Sequence, residues 1–153
     1  MNIELGKRIF FECYGNSFTI CREYGKEYKK CKIPQEYEIK WCEEIREQLY
    51  KSIRKTNGDT RFSLFLRLCD IVSWEESIKL TCELLNSHLD CFERLLYTEH
   101  LKQLNIKEDK YELKEIITKN KTILNDNICL VKEDSKGYCA LTEDSIKERI
   151  NKL

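Results

Sequence analysis

Glycine is scarce in this chain, at five residues in 153. No Gly-rich phosphate loop, Gly-x-Ser-x-Gly or His-Glu-x-x-His occurs, so a nucleotide cradle built from backbone N–H groups is not expected. Histidine is scarcer still: His88 and His100 stand twelve positions apart, whereas a zinc pair on one helix needs about three or four. The nine cysteines, at positions 13, 21, 31, 42, 69, 82, 91, 129 and 139, include no Cys-x-x-Cys pair. Structural zinc is therefore not expected, and neither is any other metal or cofactor. An odd number cannot pair completely within one chain, and the cysteines read as reduced, mostly buried small hydrophobes. Net charge is absent too, with 27 basic against 27 acidic residues, so the chain is no obvious binder of nucleic acid or membrane surfaces. No stretch approaches about 18 uninterrupted apolar residues, and the start Met-Asn-Ile-Glu lacks a basic segment leading into an apolar run. These features set the expectation of a cytoplasmic protein with no membrane segment.

What is present is charge, at 35% of residues, and helical patterning. In Phe62–Val72 the polar residues Ser63, Arg67 and Asp70 follow at spacings of four and three, which places them along one line of a helix with apolar residues over the remainder. A helix apolar around most of its circumference must be enclosed by others, so this stretch is expected to be the central helix of the fold.

Other helix starts are marked by capping patterns. Pro34 opens a helix running to about Lys55, with Tyr37, Trp41, Cys42, Ile45, Leu49 and Ile53 as its apolar stripe and Asn57-Gly58 as its stop. Thr60 is the expected cap of the central helix. Ser73-Trp-Glu-Glu76, Asp90-Cys-Phe-Glu93 and Asp109-Lys-Tyr-Glu112 each have the acceptor-x-x-Glu form of a capping box, and Thr142 precedes a last amphipathic segment with Ile146 and Ile150. The intervals between starts, joined by short polar connections, suggest antiparallel helical hairpins.

The N-terminus reads differently. Arg8–Tyr14 and Ser17–Arg22 are rich in Ile, Phe, Cys, Thr and Tyr and flank Gly15-Asn16, which predicts a β-hairpin with positive φ at Gly15. Its aromatics are expected to pack on Tyr37 and Trp41. Ile128–Val131 and Tyr138–Leu141 flank a Lys-Glu-Asp-Ser-Lys-Gly turn and suggest a second hairpin. The expected fold is thus mainly α with a β component: an N-terminal β-hairpin packed on a bundle or short stack of five to six antiparallel helices. All of it is expected to form one domain over 1–153, with hairpin and connection in 1–32, helical core in 33–124, and a second hairpin and terminal helix in 125–153.

Two segments bear on function. Arg94-Leu-Leu-Tyr-Thr-Glu-His100 resembles the Arg-x(4–6)-His motif of the HEPN-type ribonucleases, small helical bundles, although Leu95 stands where that motif commonly has a polar residue. The resemblance implies that Arg94 stabilises phosphate charge and His100 moves a proton in RNA cleavage. Against it, six helical positions rotate the two side chains about 240° apart, and the residue-level reading is an ordinary Arg and His on an amphipathic helix. The N-terminal segment interleaves Arg8, Arg22, Lys26, Lys29, Lys30 and Lys32 with Phe10, Tyr14, Phe18, Tyr24 and Tyr28. That composition suits single-stranded nucleic acid, but four acids in the same 32 residues dilute it. With catalytic signatures absent, the expected function is a non-catalytic protein-binding module whose partner is another protein, such as a toxin-neutralising immunity protein or antitoxin. The alternative is a HEPN-like ribonuclease or RNA-binding helical protein acting through Arg94 and His100.

Overall fold

The computed structural model describes residues 1–137, 139 and 141–153, and among them are nine α-helices and no strand. The expected α+β fold with an N-terminal hairpin is therefore overturned in favour of an all-α one. Residues 8–22 are divided between α1 (Ile3–Glu12) and α2 (Ser17–Cys31). Gly6, Ile9, Phe10 and Cys13 are buried, a spacing of i, i+3, i+4, i+7 that puts them on one helical stripe. The β-like composition hid that period. Gly15 does have positive φ, 70°, but it ends a helix: its N–H bonds Phe10 O at 2.9 Å and that of Tyr14 bonds Phe11 O at 3.1 Å. This is the Schellman pairing of a helix C-terminus. Asn16 then caps α2, its Oδ1 accepting from Thr19 N at 2.9 Å. The same Gly-Asn dipeptide thus serves as a C-cap followed by an N-cap.

By contact the chain divides into two compact units, Met1–Lys55 with Ser63–Val72, and Thr56–Phe62 with Ser73–Leu153. In the first, α3 (Gln35–Ile53) follows Pro34, and Trp41, Ile45, Leu49 and Ile53 form its buried stripe as expected. Phe10 meets Trp41 with ring centroids 5.6 Å apart, so the aromatic packing forms without the hairpin. At Gly6, α1 passes so close to the connection between α2 and α3 that a Cβ would collide with the Ile33 side chain. Residues 62–69 lie in α4 (Gly58–Cys69), which begins before Thr60, so Thr60 is not its cap. Phe65 and Leu68 are fully buried, and Ser63, Arg67 and Asp70 are exposed. Leu66 is 39% exposed, however. It stands about 60° around the helix from Ser63, so α4 is two-sided and not enclosed.

The enclosed helix is in the second unit, formed by residues 56–62 together with α5 (Trp74–Leu85), α6 (Cys91–Glu108), α7 (Tyr111–Asp126), α8 (Ile128–Ser135) and α9 (Glu143–Asn151). α6 packs against α5, α7 and α8, and Phe92, Glu93, Leu95, Tyr97, Thr98, Leu101, Leu104 and Asn105 are all buried, on nearly every side of its axis. Phe92 and Leu95 share a core with Leu124, Val131, Ile146 and Ile150. Ser73, Asp90 and Thr142 cap α5, α6 and α9 as expected. Asp109 does not cap α7: it ends α6 in the left-handed region at φ 48°, and Asn105 Oδ1 accepts the Lys110 N–H instead. The expected second hairpin is overturned as well, because Ile128–Val131 lies within α8. Ile128, Val131 and Ser135 keep helical spacing, with Val131 and Ser135 buried and Ile128 against the core. Of the other expected strand, Tyr138 and Ala140 lie outside the described residues.

These burial differences order the mutational costs. Phe65→Ala and Leu68→Ala should each cost about 2–5 kcal/mol, whereas Leu66→Ala should cost under about 1 kcal/mol. Urea midpoints of the three variants check this; equal losses at positions 66 and 68 would contradict the orientation of α4.

Candidate functional site

An apolar concavity lies in the first unit. It is a groove of about 580 Å³ lined from α1 by Phe10, from α2 by Ile20, Cys21, Gly25, Tyr28 and Lys29, and from α3 by Gln35, Glu38, Ile39, Cys42 and Glu43. Across the connection between the two walls, Tyr28 near the end of α2 bonds Glu38 near the start of α3, with Oη donating to Oε1 at 2.7 Å. That bond engages the Glu38 carboxylate. Burial, followed by the neighbouring Glu38, pushes the Tyr28 hydroxyl well above its ordinary value, so the phenol remains a proton donor. Burial likewise raises the Cys42 thiol, with Glu38 and Glu43 adding to the effect. A protonated thiol is a poor nucleophile, and most of the groove's surface is apolar.

Ile39 is 56% exposed and Phe18, near the start of α2, 71% exposed. Gly25 stands mid-helix, and a Cβ there would meet nothing within 4 Å. A mid-helix glycine costs roughly 1 kcal/mol against alanine, and no neighbour within the fold requires it. Sequence reading missed the groove because it placed residues 8–22 in a hairpin. The signal that was available is Ile39, an apolar residue between Glu38 and Lys40 that lies off the Trp41–Ile45–Leu49 stripe.

Arg94 and His100 are both in α6 and both half-buried. The Arg94 guanidinium is engaged: its Nη1 donates to Asn120 Oδ1 at 2.6 Å and to Leu85 O at 3.2 Å, a carbonyl in the last turn of α5. Burial lowers the pKa of His100, favouring neutral imidazole. Both Arg94 bonds lead to Asn120 and the end of α5. His88 is exposed in the segment before α6, and Cys91 N–H donates to Asp134 Oδ2 at 2.8 Å. Among the described residues no group of three His, Cys, Asp or Glu side chains is placed to hold a metal ion, and no helix is long and apolar enough to cross a membrane. All nine cysteines are free; Cys13 and Cys31 are buried, but Cys21, Cys129 and Cys139 are exposed, so the expectation that most are buried is corrected.

A second cleft, of about 420 Å³ between α6 and α9, is charged, and its groups pair with one another. Arg149 Nε donates to Glu99 Oε1 at 2.7 Å, and Lys102 donates to the Lys152 carbonyl. Deeper in the same unit, Arg61 grips Glu93 through Nε–Oε1 at 2.6 Å and Nη2–Oε2 at 2.7 Å. The side chains are 14% and 1% exposed, so this pair is enclosed by the fold. Sequence reading had assigned Glu93 to a capping box; its backbone N–H does bond Asp90, but its carboxylate turns to Arg61.

No protein-family model, curated protein or solved structure matches the chain.

Two measurements follow from these side chains. Glu93→Ala leaves the Arg61 guanidinium without its counter-charge and should cost about 3–5 kcal/mol, whereas the double variant Arg61→Met, Glu93→Leu should recover most of that loss. A double variant as unstable as the single one in denaturant titrations would contradict this. For His100, the folded state disfavours the imidazolium, so its contribution to stability is complete above the ordinary pKa of 6.5. That contribution is lost as pH falls from there through the lower folded value. Denaturant midpoints at successive pH values should therefore fall more steeply on acidification for the unaltered protein than for His100→Asn. Parallel curves would show that His100 is not held neutral.

Proposed function

We propose that this chain is a non-catalytic protein-binding module and that its N-terminal unit receives a segment of the partner in the groove between α2 and α3. The observation that carries this reading is an open apolar trough with Ile39 exposed in its wall and Phe18 exposed at the start of α2. Single exposed apolar residues are ordinary, whereas an apolar concavity with hydrophobic side chains standing out beside it is the form of a recognition surface. Helix pairs present such troughs to amphipathic segments, whose apolar face gains the burial that the trough lacks. The thiol and phenol in the groove are held protonated by burial, which supports contact over catalysis.

Ile39→Asp tests the reading, since a residue this exposed changes the surface while leaving the fold intact. Tagged protein recovered from the host should retain a protein partner in stoichiometric amount. Ile39→Asp should retain less than a tenth as much, with an unchanged circular dichroism spectrum and melting point. Equal recovery by both forms would overturn the assignment of the groove, and RNA cleavage lost in both Arg94→Ala and His100→Ala would overturn the non-catalytic reading.

A further inference from the structure

Asn57-Gly58 is the only Asn-Gly pair in the chain, and it stands where the connection after α3 enters α4. Asn57 is exposed. Its carbonyl accepts the Arg61 N–H at 3.4 Å, at the start of α4, which makes it the residue in the N-cap position. Among the described residues, however, neither its carboxamide nor the Gly58 N–H makes a hydrogen bond. Other asparagines are held. Asn2, Asn16 and Asn105 accept from backbone N–H groups through Oδ1, and Asn120 and Asn127 donate to carbonyls one turn back. Asparagine is a thermolabile residue, and it is most labile before glycine, where no side chain hinders the following nitrogen. Gly58 has φ 60°, a conformation that favours glycine over any residue with a Cβ. The entry into α4 therefore keeps glycine at the position where a bulkier residue would shield the preceding carboxamide.

We infer that Asn57 is a site of spontaneous covalent modification, at which the chain converts its own carboxamide to aspartate and isoaspartate. The Gly58 nitrogen gives its proton to solvent base and attacks Asn57 Cγ. A C–N bond forms, the bond from Cγ to the amide nitrogen breaks, and ammonia leaves with a proton from solvent, closing a five-membered succinimide. Water then adds to one of the two imide carbonyls. Addition at Cγ returns the main chain to its original path and leaves an aspartate side chain. Addition at the former main-chain carbonyl gives isoaspartate, with the main chain routed through Cγ and lengthened by one carbon. Water is the only co-reactant, and nothing is oxidised or reduced. The isoaspartate branch bears on the fold, because it turns the carbonyl that accepts the Arg61 N–H into a carboxylate outside the main chain. Arg61 lies in that first turn of α4 and grips the buried Glu93. Isoaspartate at position 57 therefore loosens this clasp, whereas aspartate, a favoured N-cap residue, leaves it in place.

The purified full chain, aged at neutral pH and body temperature, is digested and its peptides are weighed. Exposed connections open locally at little free-energy cost, so the peptide containing residue 57 should acquire the mass of an amide-to-acid exchange at no less than about a tenth of the rate in the guanidinium-denatured chain. The rate should rise with pH, because the attacking nitrogen must lose its proton. Isoaspartyl methyltransferase with a labelled methyl donor should mark that peptide in the aged protein. It should leave Asn57→Gln unmarked, since glutamine closes its larger ring far more slowly. Position 57 is exposed, and an unchanged melting point confirms that Asn57→Gln and Asn57→Asp fold. The aged acidic fraction, recovered by ion exchange and rich in isoaspartate by methylation, should melt at least about 2 °C below Asn57→Asp. A rate in the folded chain below that tenth, or label spread evenly over the other asparagines, would overturn the site. An isoaspartate-rich fraction that melts together with Asn57→Asp would overturn its coupling to α4.

Discussion

The two bonds between Arg61 and Glu93 place a carboxylate that is 1% exposed in direct contact with a guanidinium whose side chain is 14% exposed. Taking either ion out of water alone costs several kcal/mol, so each is tolerable in the interior only because the other is there. Arg61 Nη2 also reaches the carbonyl of His88, and Phe62 beside it lies edge-on to Tyr97 with centroids 5.1 Å apart. Residues 61 and 62 are thereby tied to α6 and to the segment that precedes it. Such a pair adds little net stability over an apolar substitute of the same volume. Its effect is to restrict α6 to positions in which Glu93 meets Arg61, and α6 is the helix that α5, α7 and α8 pack against.

The same constraint explains why the most enclosed helix was hard to recognise. Sequence reading sought a helix with few polar residues and found α4, whose Leu66 is in fact exposed. α6 buries Glu93, Thr98 and Asn105, each with an internal partner: Arg61, the Arg94 carbonyl, and the Lys110 N–H. Hydrophobic periodicity cannot register a polar residue whose partner lies far along the chain, 32 positions away for Arg61. Signals whose physics is local fared better. Ser73, Asp90 and Thr142 cap helices where expected, because a side chain that satisfies an N–H three residues on depends on little else. Asp109 failed because it serves the preceding helix: its N–H bonds the Asn105 carbonyl and its backbone is left-handed at the end of α6, so α7 begins one residue later, after Lys110.

The N-terminal error has a different origin. Aromatic and β-branched residues on both sides of Gly15-Asn16 match a strand–turn–strand composition, and composition outweighed spacing. The spacing of Gly6, Ile9, Phe10 and Cys13 was helical throughout, and Asn16 was as good an N-cap as a turn residue. Once α1 and α2 are helices, α2 and α3 become neighbouring walls, and the candidate site exists only in that arrangement. None of the groove was therefore legible as a groove, although Ile39, apolar among charged neighbours, marked one of its walls. Arg94 and His100 were conspicuous by motif, yet the guanidinium is used in holding Asn120 and the end of α5.

The two units also differ in where their polar groups are directed. In the second, charges are turned inward or onto helix ends: Arg94 to Asn120, Arg149 to Glu99, and Lys102 and Lys121 to the last carbonyls of α9. Cations at a helix C-terminus oppose its dipole, and a lysine engaged in that way has less to offer a partner. The exposed Ile106, Tyr111 and Leu130 of that unit stand on or beside three different helices. In the first unit Tyr28 and Glu38 satisfy each other at the wall of an apolar trough, and Ile39 of the same wall stands exposed. Desolvating the trough is favourable at about 25 cal/mol per Å² of apolar surface covered.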